Sequence, residues 1–420
     1  MRIGVILQHR RKELGLTQEV VCSGICSITY LSKVENNVIA PKNDILQLLC
    51  NRLDLNLNDL KEGDSKSLKA LIKEAYEEIS RRNEIKIEIL IDKLIKKNQN
   101  LIDPEISIGY FIVLANYAIY KNNQIEAQNY LHKANNMKKY MTLEYEYWYH
   151  KSNGFFQYLF GSIENSKSNY EEAQQVLVEM KGEDANLYFQ LGMVNSRLKK
   201  FEQSNKYIKI ALVTFNQELN FKKIVECNLI IGINYSKVGN FNKAEEYFLK
   251  LIDNLNYSDN QKNLSRVYHN LGIVYSYKNE LVKSLDFFGK SLDLKDKPAE
   301  RANTIYLLAY TYKRYGDIDK AFYYMDKGIK ITENIQSQLL YKFQIMKLYS
   351  MEGSEIQLIE LVENTILPYY LETDPILSKE CMLLLAELYQ KINHYKSACK
   401  YFEKYLSTDN TMHIRKELLY

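Results

Sequence analysis

The sequence predicts an almost entirely α-helical chain: a small N-terminal helical bundle followed by a long array of helical hairpins. Three observations carry this expectation. Prolines are few, at positions 41, 104, 298, 368 and 375, so long helices are permitted. Apolar and polar residues alternating along a strand between turn signals are absent. Small residues recur every 37–40 positions from Ala75 to Ala386.

The first part reads as residues 1–63. In the opening segment Ile3, Leu7, Arg10 and Leu14 are expected on one helical face, with Gly15 as the stop. Thr17 is placed to cap a second, short helix that ends near Ser23 and Gly24. A third follows Cys26, with Leu31 and Val34 turned inward and Ser27, Thr29, Tyr30 and Lys33 left outside. After Pro41 a fourth helix is built on Ile45, Leu46, Leu48, Leu49 and Leu53, and Asn58 opens a short fifth. Residues 1–52 hold seven Lys or Arg against four Asp or Glu, which is most of the chain's net charge of +4. Any pull on polyanions is therefore local.

The second part, residues 66–420, is a series of hairpins. Their anchors are Ala75, Ala115, Gly154, Gly192, Gly232, Gly272, Ala309 and Ala386, with Met346 filling one gap. Three residues on, five anchors have a tyrosine: Tyr235, Tyr275, Tyr312, Tyr349 and Tyr389. Twelve on stand Ala127, Ser166, Ser204, Ala244, Ser284, Ala321 and Ala398, and sixteen on stand Tyr170, Phe248, Phe288 and Phe402. Turn residues such as Asn122, Gly161, Gly239, Asn279, Gly316, Gly353 and Asn393 lie between. Each unit therefore reads as helix A, a tight turn and helix B. Small side chains allow close approach, and aromatic rings fill the space around it. Such a hairpin cannot bury its apolar face alone and must stack on its neighbours, which generates a solenoid with a concave wall. The count is nine hairpins, with eight as the alternative.

These patterns resemble known families. Leu16-Thr17-Gln18-Glu19, Tyr30-Leu31-Ser32-Lys33-Val34-Glu35 and Pro41 with Ile45-Leu46-Gln47-Leu48 are similar to the five-helix, lambda-repressor-like DNA-binding domain of the Cro/C1 (XRE) type. Cys22 departs from that family's usual Ala, and Lys42 from its Ser cap. The resemblance implies that the second motif helix enters the major groove. It implies DNA-contacting roles for Gln18, Ser27, Ile28, Thr29, Tyr30 and Lys33, and a structural ion pair from Glu35 to Arg10 on the first helix. The small–aromatic–small–aromatic spacing resembles the tetratricopeptide repeat, arranged as a right-handed superhelix, with a period longer than the usual 34; a generic HEAT-type solenoid is the alternative. Head plus repeats together resemble the Rgg, Rap, NprR, PlcR and PrgX group of peptide-responsive quorum-sensing regulators, most of all its NprR and PlcR branch.

That resemblance implies a short signalling peptide on the concave face, clamped by asparagines of helix A. The inner-face positions supply Lys151, Asn195, Asn234, Arg266, His269, Asn270, Asn303, Tyr306, Tyr310 and Lys313, with Trp148 and Arg314 beside them. An Asn amide both donates and accepts, so it pairs with any peptide backbone. Arg266, Lys313 and Arg314 suit a carboxylate. The expected partners are a palindromic double-stranded operator, the peptide and a second copy of the chain.

Other classes find little support. There is no Gly-rich phosphate loop, HExxH or GxSxG, so no enzyme, cofactor or metal site is expected. The six cysteines lack zinc spacing and read as reduced, packed thiols. The N-terminus lacks the apolar run of a signal peptide, and no stretch approaches the roughly 18 apolar residues of a membrane span; a cytoplasmic chain is expected. Two further readings stay open: a Rap-like scaffold that binds a phosphorelay response regulator through residues 66–150, and a phage or plasmid regulator of the same design.

Overall fold

The structure is a computed structural model that describes residues 3–56, 62–97, 103–255, 260–335 and 337–407, the side chains of 62–65 and 254 excepted. Among the described residues there is no strand. The chain divides into two compact units, 1–220 and 221–420.

The head holds α1 (Ile3–Glu13), α2 (Gln18–Cys22), α3 (Ile28–Glu35) and α4 (Asn43–Arg52). The short fifth helix expected from Asn58 lies outside the described residues. Thr17 Oγ1 accepts the Val20 N–H at 3.3 Å and Ser27 Oγ accepts the Tyr30 N–H at 3.1 Å, so both motif helices start on side-chain caps. Lys42 precedes α4 without such a bond. Ile6, Leu7, Val21, Leu31, Val34, Leu49 and Leu53 form the head's core. A Cβ on Gly4 would stand 1.8 Å from the Val34 carbonyl oxygen, so the glycine is what lets α1 lie on the end of α3.

One expectation is corrected here. The buried face of α1 is Gly4, Ile6, Leu7 and Arg11, while Leu14 is exposed. With about 100° of turn per residue, anchoring on Gly4 and Leu7 carries Arg11 inward in place of Arg10.

The rest of the first unit is four hairpins: α5 (Glu62–Arg81) with α6 (Glu84–Lys97), α7 (Pro104–Tyr120) with α8 (Gln124–Asn136), α9 (Leu143–Phe160) with α10 (Ile163–Glu179), and α11 (Ala185–Arg197) with α12 (Phe201–Gln217). The second unit holds α13 (Phe221–Lys237) with α14 (Phe241–Leu255), α15 (Gln261–Tyr277) with α16 (Leu281–Asp293), and α17 (Pro298–Tyr315) with α18 (Ile318–Asn334). It continues with α19 (Leu339–Tyr349), α20 (Glu355–Leu361) and α21 (Leu367–Thr373), and ends with α22 (Pro375–Lys391) and α23 (Tyr395–Ser407).

The repeat spacing has a direct physical counterpart. A Cβ on Gly154, Gly192, Gly232 or Gly272 would stand 2.4–2.6 Å from Tyr170, Ile208, Phe248 or Phe288, in each case the side chain sixteen residues on. Twelve residues on, Ser166, Ser204 and Ser284 donate to the carbonyls of Gly154, Gly192 and Gly272 at 2.7–2.8 Å. Each glycine-anchored hairpin is therefore closed by a bulky side chain, a ring in three of the four, pressed on backbone and, where serine is present, by a buried hydrogen bond beside it. The turns follow: Asn122, Gly239, Asn279, Gly316, Gly353 and Asn393 have positive φ, whereas Gly161 has φ −122°.

The weak repeat at Met346 is where regularity fails. Its returning segment is split into α20, a π-helical turn over Val362–Ile366 and α21. Glu363 in that turn accepts hydrogen bonds from Tyr389 and Tyr401, each at 2.5 Å, which ties the irregular segment to the last hairpin.

Gly272→Ala is expected to lower stability by about 1–3 kcal/mol through overpacking against Phe288, and Ser284→Ala by about 1 kcal/mol through the lost buried bond. Denaturant unfolding of the two variants checks both, and a silent Gly272→Ala would refute the contact's role.

Candidate functional site

The head is organised around one buried carboxylate. Glu35, 2% exposed, receives Arg11 Nε at 2.6 Å and Arg11 Nη2 at 2.8 Å, a bidentate pair. Arg11 Nη1 continues to the Leu16 carbonyl at 2.9 Å, and Gln18 Nε2 donates to Glu35 Oε2 at 2.8 Å. The expected Glu35–Arg10 pair is thus replaced by Glu35–Arg11. Arg10 instead reaches the Leu53 carbonyl at 3.2 Å and Glu13 at 3.4 Å. Glu35 lies at the end of α3, so the network locks α1, the start of α2 and α3 together. The hydrogen bond to Arg11's own partner raises the already high guanidinium pKa.

This lock leaves the start of α3 facing outward. Ser27, Ile28, Thr29 and Lys33 are exposed, and Ile28 keeps 47% of its surface. Tyr30 is half-buried and its hydroxyl accepts the Lys42 N–H at 3.2 Å, so it braces the α3–α4 connection. Gln18 is half-buried with one amide hydrogen committed to Glu35. Arg52 was not foreseen: Nη1 and Nη2 cap the Val20 and Ser23 carbonyls at 2.9 and 3.2 Å, fixing the end of α2. The sequence signal was a cation at the end of α4. A helix start bearing two hydroxyls, an apolar tip and a lysine one turn further on fits phosphates and base edges together.

Of the candidate groove residues, Lys151 and Asn195 lie in the first unit. Lys151 pairs with Asp184, which also accepts the Tyr147 hydroxyl at 2.6 Å and caps α11. Trp148 beside it is stacked on Tyr76, ring centroids 4.1 Å apart. Asn195 Nδ2 donates to the Leu191 carbonyl at 2.8 Å, and its buried Oδ1 accepts no hydrogen bond.

The other candidates belong to the second unit. Asn234 has no exposed surface, so the structure does not bring it to a groove wall. Asn303 is exposed, and Arg266 reaches Asn263 Oδ1 at 3.1 Å. Asn270 Nδ2 donates to the Arg266 carbonyl at 2.8 Å, a bond within its own helix that still leaves a donor and the oxygen for a guest. Lys313 lies over the Tyr349 ring at 5.1 Å, and burial lowers its pKa. Arg314 bonds Ser276 Oγ at 2.9 Å and Asn279 Oδ1 at 3.0 Å and lies over Tyr310 at 5.8 Å, so it joins α17 to the end of α15. Tyr306 is buried against the edge of Phe343.

His269 is tied to a residue that escaped notice. Lys295, almost wholly buried, donates to Thr304 Oγ1 at 2.6 Å, and Thr304 Oγ1 stands 3.1 Å from His269 Nδ1. The lysine supplies the proton to the threonine oxygen, so the hydroxyl donates on to an unprotonated Nδ1. Burial, reinforced by Lys295, pushes the imidazole pKa down to about 3. Among the described residues, no cluster of His, Cys, Asp or Glu could hold a metal ion. The six cysteines are unpaired thiols, with Cys22, Cys50, Cys227 and Cys381 buried. No described helix is long and apolar enough to cross a membrane.

Comparison with known proteins agrees with this layout. Residues 7–60 match the helix-turn-helix family model, and residues 380–411 match a tetratricopeptide-repeat model. The transcriptional activator NprA of Geobacillus stearothermophilus is 25% identical over 397 residues, covering 91% of this chain and 97% of that protein. The regulatory protein RapD of Bacillus subtilis is 23% identical over 347 residues, covering 80% and 94%. Among solved structures, the apo quorum sensor NprR from B. thuringiensis superposes with a TM-score of 0.73 at 18% identity, covering 81% of this chain and 98% of that one. NprR in complex with its cognate peptide NprX gives 0.60 at the same identity and coverage. Fold and head together define a helix-turn-helix regulator with a tetratricopeptide-repeat body. Within that class the chain is similar to the NprR and Rap regulators.

Glu35→Ala strands Arg11 in the head's core and is expected to cost about 3–5 kcal/mol. Hydrogen exchange read over residues 3–56 checks it, since loss of protection should be confined to the head. For His269, the folded form stays neutral down to about pH 3 while the unfolded chain takes up a proton near 6.5. Its contribution is therefore fully present above pH 6.5 and is lost as pH falls from there toward 3. Replacing His269 with Gln should flatten that acid limb relative to the unmodified protein in paired urea titrations, and parallel limbs would contradict the assignment.

Proposed function

We propose that this protein is a transcriptional regulator that reads double-stranded DNA with α3 and is controlled by a short peptide held on the inner faces of its A helices. The carrying observation is the outward, capped start of α3, held in place by the Glu35–Arg11–Gln18 network. Ser27 and Thr29 suit phosphates or base edges, Ile28 suits a thymine methyl and Lys33 a phosphate. Gln18 keeps its oxygen and second amide hydrogen for the backbone beside the start of α2.

Control by a guest follows from the way the body is built. Neighbouring hairpins stack on one another, so a ligand that prefers one packing favours it within the unit that binds it. The head is not loosely tethered in the first unit: the His9 ring meets the edge of Tyr140 with centroids 5.3 Å apart. Desolvation there lowers the His9 pKa, as the neighbouring Lys139 and Arg10 also do. A change in the packing of the first unit's hairpins is thereby passed to α1. Asn270 and Arg266 are the foremost peptide contacts, with Asn303, Tyr310 and Lys313 along the same series of helices. The NprR–NprX complex is that protein's precedent for a peptide on this fold.

We further read the protein as cytoplasmic, as acting on a palindromic operator in the form of a homodimer with one head per half-site, and as a regulator rather than a catalyst. A second reading is favoured by α6, where Ile85 and Ile89, one turn apart, are 77% and 49% exposed. With Rap proteins among the relatives, some of them named response regulator aspartate phosphatases, this face is a candidate dock for a receiver domain.

The test is a mobility-shift titration on DNA from around the protein's own gene, at several salt concentrations, with and without extract of spent medium. The Ser27→Ala, Lys33→Ala pair is expected to weaken binding about tenfold or more and to make the salt dependence shallower. DNA that never shifts, with or without extract, would remove this reading and leave the receiver-domain dock.

A further inference from the structure

One cation of the second unit is buried without a counter-charge. Lys295, in the connection between α16 and α17, is 8% exposed. Its ammonium donates to Thr304 Oγ1 at 2.6 Å, its one hydrogen-bond partner among the described residues. An ammonium has three hydrogens, so the others are left without an acceptor there. Arg301 brings a second cation to the same connection, where it donates to the Leu292 and Lys295 carbonyls at 3.2 and 2.6 Å. Among the described residues neither cation makes an ion pair. Glu300 acts on Lys295 through its charge alone and stands exposed at the start of α17. A buried charge that lacks a counter-charge opposes folding, and an apolar side chain of similar length would be easier to bury.

The ammonium is also held in a fixed position. Thr304 Oγ1 stands 3.1 Å from His269 Nδ1, and the His269 ring meets the edge of Phe288 with centroids 5.9 Å apart. Phe288 is the ring pressed on Gly272. Lys295 is thus tied through α17 and α15 to the contact that closes the α15–α16 hairpin. The same relay borders the inner-face candidates: Asn270 follows His269 in the chain and is half-buried, and Asn303 precedes Thr304 and is exposed. Other cations of this unit have partners already. Arg314 is bonded to Ser276 and Asn279, and Lys313 lies over the Tyr349 ring. The group that matches a buried ammonium with open hydrogens is a carboxylate, whose oxygens accept charge-assisted bonds.

We propose that Lys295 is the receiver for a carboxylate of a short peptide ligand, with Thr304 and His269 holding its ammonium in place. The proposal rests on the peptide reading above and adds to it the charge of one ligand group and the residue that meets it. It also gives the guest leverage. In the unliganded protein the lone charge opposes close packing of the α16–α17 connection. A carboxylate supplies the missing counter-charge, so the packing that encloses the pair becomes the favoured one.

The experiment uses the full chain and pools of heptapeptides, offered with free or amidated carboxyl termini and with or without Asp and Glu. Binding is read as the rise in melting temperature across a concentration series. Pools that carry a free carboxyl terminus, or an Asp or Glu, are expected to stabilise the protein more than amidated pools lacking both. A preference for the free terminus identifies the α-carboxylate as the source, and a preference for Asp or Glu identifies a side chain. Lys295→Met should weaken the carboxylate-bearing pools about tenfold or more and erase the preference. Without ligand the same variant should melt no lower than the unmodified protein, because it removes an uncompensated charge. Thr304→Val, which releases the ammonium from its anchor, should weaken the same pools several-fold. Asn270→Ala, by contrast, should weaken all pools alike. If amidated pools without Asp or Glu bind equally well and Lys295→Met changes nothing, the subsite is wrong while the peptide groove stands. If no pool stabilises the unmodified protein, both fall. A Lys295→Met variant that melts far lower, or fails to fold as judged by circular dichroism, gives the lysine a structural role and overturns the proposal.

Discussion

The glycine-anchored hairpins of the body depend on a contact between a bulky side chain, mostly a ring, and a helix backbone. Wherever an anchor glycine stands, the side chain sixteen residues later is pressed so close that a single added methyl would collide with it. That closeness sets the distance between helices A and B, and the serine twelve residues on uses the same proximity to reach the anchor's carbonyl. Because the bond and the side-chain contact share one geometry, such a hairpin closes in one way. The inner faces that carry the candidate ligand residues inherit their spacing from it.

Irregularity in this array carries its own logic. The hairpin around Met346 has no small anchor, and its second half breaks into short pieces with a π-helical turn. Glu363 in that turn then becomes the acceptor for two tyrosines of the last hairpin. Among the described residues of this unit, the buried polar atoms without a hydrogen-bond partner include Tyr306 Oη on α17, Gln344 Oε1 on α19 and Tyr370 Oη on α21. Buried polar chemistry is thus least satisfied in and beside the irregular stretch of this unit.

The head follows a different constraint. Its surface chemistry is generic, since hydroxyls and a lysine on a short helix occur in many proteins. What makes it specific is the buried Glu35, held by both arms of Arg11 and by Gln18, which orients α3 relative to α1 and α2. A buried ion pair contributes little net stability but strongly penalises any arrangement that separates its members. Here the penalised arrangements are those that would turn Ser27 and Lys33 away from solvent.

Periodic features were legible in the residues alone, because each small anchor, turn asparagine and aromatic filler reports a local requirement that recurs from hairpin to hairpin. The cap at Thr17 and the outward start of α3 were legible for the same local reason, whereas the cap at Ser27 emerged from the structure. Which arginine meets Glu35, that Asn234 is sealed inside, that Arg314 is spent on Ser276 and Asn279, and that Lys295 reaches His269 through Thr304 were decided only in three dimensions. A side chain's partner is chosen by the rotation of its helix against another and by what competes for the same space. One residue's change in register, about 100° around a helix, was enough to exchange Arg10 for Arg11.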